Sequence, residues 1–307
     1  MIMSVTGPID APPLGAFLPH EHVMSIFGRE REDRTIYDED RLLAATVPYL
    51  QHLRSIGCGT VADCTATGIG RRPDLLRTIS RASGISILTN TGYYGAAGGR
   101  YLPGDIGKLS AAEISDRWVR EYEEGIDGSD IRPGFIKTGI DHDVLSPVDR
   151  KLVTAAARAH ARTGLLIQTH TGNNPRAAAE ILGILESEGV RPDAWAWVHA
   201  HLITNPEHIL RAAREGCWIS LDGLHTERDA AILTLLQTMK SERLLGRVLL
   251  SHDGNSYTAD GSRRPYEHLL TGFRGKLRQA GFTDIEFEEL SGGNPARAFE
   301  VTPRLIA

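Results

Sequence analysis

The chain is short of several things, and each shortage closes off a class of function. It has only three cysteines in 307 residues. These are Cys58, Cys64 and Cys217, an odd set without the C-x-x-C spacing of zinc ribbons or redox motifs. They read as small buried apolar side chains in reducing surroundings. No run approaches the roughly 18 apolar residues of a membrane span, and Met1 to Pro8 lacks the basic cluster and apolar stretch of a secretory signal. A cytoplasmic protein without membrane contact is expected. Lys and Arg number 34 against 39 Asp and Glu, a net charge of -5, with no long block of one sign. Nucleic acid, whose phosphates call for a clustered basic face, is therefore not an expected partner. There is no Gly-x-Ser-x-Gly elbow, and no cysteine adjoins a histidine in a recognisable motif, so serine- and cysteine-type catalysis find little support.

What is present is a core-forming composition, 41% hydrophobic and 24% charged, arranged as short β-rich apolar runs alternating with longer amphipathic stretches. The strand candidates are 14–20, 60–64, 86–91, 134–138, 165–170, 195–199, 218–222 and 248–253. Between and after them lie helix candidates at 40–56, 73–83, 110–125, 147–163, 175–188, 205–215, 227–242 and 265–280. Ser146-Pro147, Asn174-Pro175 and Asn205-Pro206 each place a capping side chain before a proline at the first helical position, where the missing N–H costs nothing. No linker, low-complexity tract or fixed-period repeat divides the chain, and 95–107 reads as a long βα loop. A doubly wound sheet would carry a Gly-rich phosphate turn after an early strand, and Gly68-Ile69-Gly70 is a weak match. The expectation is an α/β chain folded as a (β/α)8 TIM barrel, one domain over 1–307 with a short N-terminal β segment and a C-terminal helix.

Titratable residues collect at the expected strand ends, where barrel active sites are built. The first strand runs into His20-Glu21-His22, whose two histidines share a strand face and could reach one metal ion. Strands five and six end in His170 and His199, with His201 as a competitor to His199. Strand eight ends in Asp253, a carboxylate that could ligate a metal and accept the proton of a bound water, or merely cap a turn. Lys137 closes an apolar strand, where an ammonium must be paired, neutralised or desolvated at high cost. Either a structural ion pair holds it, or its amine takes up carbon dioxide to give a carbamate able to bridge two cations. Arg263 and Arg264 read as solvated surface side chains rather than as a cradle for a phosphorylated lactone.

The order Thr6-Gly7-Pro8-Ile9, Leu18-Pro19-His20-Glu21-His22, Ile136-Lys137-Thr138, Thr169-His170-Thr171, Glu186-Ser187-Glu188-Gly189, Ile219-Ser220-Leu221-Asp222 and Asn294-Pro295-Ala296-Arg297-Ala298-Phe299 resembles the phosphotriesterase family of the amidohydrolase superfamily. That family includes the phosphotriesterase-like lactonases, and the resemblance spans essentially the whole chain. It implies two divalent metal ions, zinc first, with manganese, cobalt or iron also suited. It places His20, His22 and Asp253 on the more buried ion and His170 and His199 on the other. N6-carboxylysine at Lys137 and a hydroxide would bridge both, and Tyr94 would face the substrate carbonyl.

The activity so implied is hydrolysis of a small-molecule ester or lactone, with phosphotriester cleavage as a side activity; a homodimer is compatible with it. Amide or N-acyl hydrolysis, deamination and a non-catalytic metal-binding role remain as alternatives. The sequence departs from the family at Val198-His199-Ala200, where Gly-His is usual. It departs again at Asp222-Gly223-Leu224-His225, which lacks an arginine many lactonases carry. Both bear on substrate rather than on metal.

Overall fold

The computed structural model describes residues 1–9, 15–27, 37–258 and 260–306. An antiparallel hairpin, β1 (Ile2–Ser4) and β2 (Gly7–Ile9), opens it. Then come β3 (Ala16–Glu21), β4 (Cys58–Asp63), β5 (Ser86–Leu88), β6 (Asn90–Thr91), β7 (Phe135–Gly139), β8 (Leu166–His170), β9 (Trp195–Val198), β10 (Trp218–Leu221) and β11 (Val248–Leu250). Every pairing from β3 onward is parallel and between chain neighbours. A doubly wound sheet reverses strand order at its centre, and this order never reverses.

The third strand candidate is one run broken at Thr89: β5 pairs with β4, and β6 pairs with β7. Leu14, where the first candidate begins, lies outside the described residues. The circle closes where the last strand meets the first. Asp253 N donates to His20 O at 3.2 Å, His22 N to Gly254 O at 2.9 Å and Ser256 N to His22 O at 2.9 Å. The fold is a (β/α)8 TIM barrel.

Alternation along each strand sorts the core into two layers. Phe17, Ala62, Leu88, Phe135, Leu166, Ala196, Trp218 and Leu249, one from each barrel strand, pack together inside, with Ile2 and Phe299 closing the bottom. Their neighbours Leu18, Val61, Ile87, Ile136, Ile167, Trp197, Ile219 and Leu250 face outward against the helices.

The helices are α1 (Glu39–Ser55), α2 (Pro73–Ser83), α3 (Ala111–Glu124), α4 (Pro147–Thr163), α5 (Pro175–Ser187), α6 (Pro206–Glu215), α7 (Asp229–Ser241), α8 (Arg274–Gln279), α9 (Asp284–Glu288) and α10 (Asn294–Phe299). Ser146 caps α4 in a reciprocal box with Asp149, and the Asn205 side chain accepts from Glu207 N. Asn174 departs from the expected cap: its amide donates to Thr171 O at 2.7 Å, and Asp143 takes its place by accepting from Arg176 N at 2.7 Å. The helix expected from 265 begins late, as a π turn over Leu269–Phe273 that leads into α8. Leu269 N, which a helix from 265 would bond to Pro265 O, donates instead to His252 Nε2 at 3.0 Å. No helix among the described residues is long and apolar enough to cross a membrane, and the three cysteines are buried and free.

Candidate active site

Above the apolar layer, the next inward positions carry polar atoms. Parity takes β7 from Phe135 to Lys137, β8 from Leu166 to His170, β10 from Trp218 to Asp222, and the chain after β11 from Leu249 to Asp253. The same rule points His20 and His22 outward with Leu18, and His199 outward with Trp197. Two irregularities turn them in. The β3–β4 register shifts between Leu18 and Glu21, and His199 takes a left-handed backbone, φ 62°. Asp253 is left-handed too, at φ 52°. Such backbone costs about 1–3 kcal/mol for a non-glycine residue and tends to sit at functional sites.

His20, His22, Tyr94, Lys137, His170, His199 and Asp253 all line one cavity of 340 Å³ at the C-terminal mouth, with Phe27, Ile69 and Arg264 on its walls. Each supporting bond fixes a ring and frees a nitrogen. His20 Nδ1 and His199 Nδ1 each donate to Asp222 at 2.8 Å. His22 Nδ1 donates at 2.8 Å to Thr65 Oγ1, whose own proton goes to Met24 O. The three Nε2 atoms thus turn inward, toward Lys137 Nζ, Asp253 and His170 Nδ1. His20 Nε2 and His22 Nε2 lie 3.5 and 3.3 Å from Asp253 Oδ1. His199 Nε2 lies 2.8 Å from His170 Nδ1, and the Tyr94 hydroxyl stands 3.2 Å from that Nδ1.

Lys137 is 2% exposed, with Nζ 3.4 Å from His20 Nε2. No carboxylate pairs with it among the described residues. The ion pair that would make this lysine purely structural is therefore not there. Its strand is approached closely by the loop after β6: Gly92 has φ +115°, and a Cβ there would fall 2.1 Å from Lys137 O.

The electrostatics suit a cation. Burial, then the charge of Lys137, lowers His20 to about 3. Burial, then His199, holds His170 well below its ordinary range. Both are neutral imidazoles at pH 7. Burial alone would raise the Asp253 carboxyl, but the His22 hydrogen bond and the neighbouring histidines hold it below the usual range. Burial would lower His199, but the charge and hydrogen bond of Asp222 raise it, so a cation there must displace any proton it carries. Imidazole nitrogens and a carboxylate facing one cavity form the donor set that divalent transition ions prefer.

His20, His22 and Asp253 bring their ligand atoms within 4.8 Å of one another, as do His20, His199 and Asp222. The first grouping is the better cation site, since both oxygens of Asp222 are taken by N–H donors. His201 lies apart from the cavity, with Nδ1 3.2 Å from Asp222 Oδ1 and Nε2 2.7 Å from the Arg228 guanidinium.

Two carboxylates that hold this arrangement escaped the sequence reading. Asp222 joins two imidazoles, and its signal was an acid at inward parity on a strand end. Glu21 accepts from Ser251 Oγ, His252 N, His252 Nδ1 and Gly254 N, a clamp on both sides of Asp253. Nothing in its spacing separated it from the histidines beside it. The two arginines also part company. Arg263 stacks over the Tyr49 ring at 4.4 Å, whereas Arg264, exposed as expected, also reaches the cavity rim with Nη1 3.8 Å from Asp253 Oδ2.

The family model described as "Phosphotriesterase family" matches residues 1–299. A phosphotriesterase homology protein of Escherichia coli K12 is 28% identical over 295 residues, covering 94% of this chain and 99% of the relative. An N-acetyltaurine hydrolase of Tetraodon nigroviridis is 26% identical over 341 residues, 96% of each. Among solved structures, a mutant of a PTE-like lactonase from Deinococcus radiodurans superposes with a TM-score of 0.86 at 31% identity, over 97% of this chain and 100% of that one.

Proposed function

The chain belongs to the phosphotriesterase family of binuclear-metal-dependent hydrolases, and from that membership we propose that it hydrolyses carboxylic esters, lactones above all. The observation that carries the reading is the convergence of four histidines, Asp253 and an unpaired Lys137 on one cavity beside Tyr94. In this reading residues 1–307 are one domain. His20, His22 and Asp253 hold one ion and His170 and His199 the other, zinc being the first candidate. Lys137, as N6-carboxylysine, would supply an anionic ligand in place of its ammonium. When bound, such ions make water acidic enough to react at neutral pH and polarise the scissile carbonyl.

The chain's own groups do the rest. Asp253, ionised at neutral pH, accepts the proton released by the attacking water and returns one to the leaving alkoxide. Tyr94 keeps its proton, because burial and then Asp253 raise its phenol, so it can donate to the substrate's carbonyl oxygen. Phe27 and Ile69 offer an apolar wall to the alkyl part. Lactones come first because of the likeness to the lactonase structure.

The test is a screen of lactones, linear esters, phosphotriesters and N-acyl amino acids on zinc-loaded protein, alongside Asp253→Asn. Lactones should show the highest kcat/KM, and D253N should lower kcat by about 100-fold or more with most of the metal retained. A preference for N-acyl substrates would move the assignment to amide hydrolysis. Full turnover in D253N would place the proton acceptor elsewhere.

A further inference from the structure

At the opposite end of the barrel, where strands begin, a second cleft of 590 Å³ is lined by six arginines and two acids. Three of the arginines are matched: Arg191 by Asp193, Arg214 by Glu207 and Glu242, and Arg297 by Glu289. Arg243, Arg247 and Arg304 have no acid partner among the described residues. The remaining acid of the cleft, Glu300, has its own partner in the amino group of Met1 at 3.6 Å. Three guanidiniums in one cleft without a carboxylate in contact are unexpected in a chain of net charge -5.

The usual reasons for basic residues here account for only part of them. Arg214 sits in the last turn of α6, where a cation complements the helix end. One Nη of Arg304 donates to the carbonyls of Arg297, Ala298 and Glu300, closing the end of α10. Its other Nη is buried with no hydrogen-bond partner among the described residues, in a residue only 8% exposed. A buried N–H of a charged group left unsatisfied is costly, and burial lowers this guanidinium's affinity for its proton. Arg247 lies over the Trp218 ring at 5.3 Å. Arg243 stands just beyond α7 with φ 61°, a position where glycine is the unstrained choice. Its backbone closes α7, with Arg243 N donating to Lys240 O at 3.0 Å and Leu244 N to Met239 O at 2.8 Å, so part of the cost is met there while the side chain stays exposed to the cleft.

We propose that this cleft binds a small polyanion carrying two or more phosphate groups, at a site separate from the catalytic mouth. Three guanidiniums, two from the connection between α7 and β11 and one from the segment after α10, match several phosphate oxygens spread over more than one centre. The bound anion would lie against the exposed guanidinium of Arg243 and beside that of Arg304 on the cleft wall.

The probe is inorganic pyrophosphate, titrated calorimetrically into the metal-loaded protein. Pyrophosphate can also reach metal ions at the mouth, so the comparison is with Arg243→Gly and with R243G/R247Q, both of which leave the mouth untouched. Losing one charge-assisted contact should weaken binding about 10- to 100-fold. R243G also removes the positive-φ strain, so its melting temperature should equal or exceed that of the parent. That keeps the test valid even if the double variant folds poorly. Weakened binding in R243G, with ester hydrolysis unchanged, supports the site. Coincident isotherms for parent and R243G, or no binding at millimolar pyrophosphate, overturn it.

Discussion

Asp222→Asn is the sharpest test of how the mouth is assembled. Asp222 is fully buried and takes the Nδ1 protons of His20 and His199, each at 2.8 Å, along with His199 N at 3.2 Å and Ser220 Oγ at 2.9 Å. Burial alone would raise its carboxyl, yet the charges of His199 and His20 hold it well below the carboxylate range. Asparagine keeps the shape but offers one accepting oxygen in place of two. One imidazole must then leave an N–H unpaired, at about 1–3 kcal/mol, or carry its proton on Nε2, the nitrogen aimed at the metal position. Lost support of this kind usually lowers metal affinity about 10- to 100-fold, which is roughly 1.4–2.7 kcal/mol. Competition against a chromophoric chelator measures the affinity directly. Melting with and without zinc should show the metal-dependent stabilisation shrinking by the same amount. A competition curve within twofold of the parent, with only the metal-free melting point lowered, would show that Asp222 merely supports the fold.

Lys137→Ala should lose metal and activity together, and millimolar acetate or formate should restore part of both by supplying the missing bridging anion; Lys137→Arg should resist rescue, because its fixed cation fills the space. Rescue of the arginine variant, or none of the alanine variant, would speak for a different role. His160 gives a pH signature far from the mouth. It donates from Nδ1 to Leu165 O at 2.8 Å and accepts at Nε2 from Arg304 N at 2.9 Å, so only the neutral ring fits. Burial lowers it from 6.5 to about 4. The unfolded state therefore binds the extra proton first, and stability that is complete above pH 6.5 drains away as pH falls toward 4, by roughly 2–3 kcal/mol. Urea melts at pH 7.5 and 4.5 should show that loss, and His160→Gln should flatten it; an equal loss in the variant would assign the slope to other groups.

Sequence alone determined the barrel, because alternating apolar runs and amphipathic stretches with no early Gly-rich turn admit few other architectures. It also named the strand ends whose titratable residues line one cavity, and two-residue alternation was enough to send Lys137, His170 and Asp253 inward. Alternation could not place His20, His22 and His199, since their parity is outward. A register shift against β4 and a left-handed turn at residue 199 reverse it, and both depend on neighbouring strands closing the circle. The same holds for Asp222 and Glu21. A carboxylate joins two rings or clamps a loop only once residues 202 and 231 positions apart have been brought into contact. The spacing of one segment contains no record of its distant partner. Only the closed barrel decides which nitrogen of each histidine is used up and which is left facing the mouth.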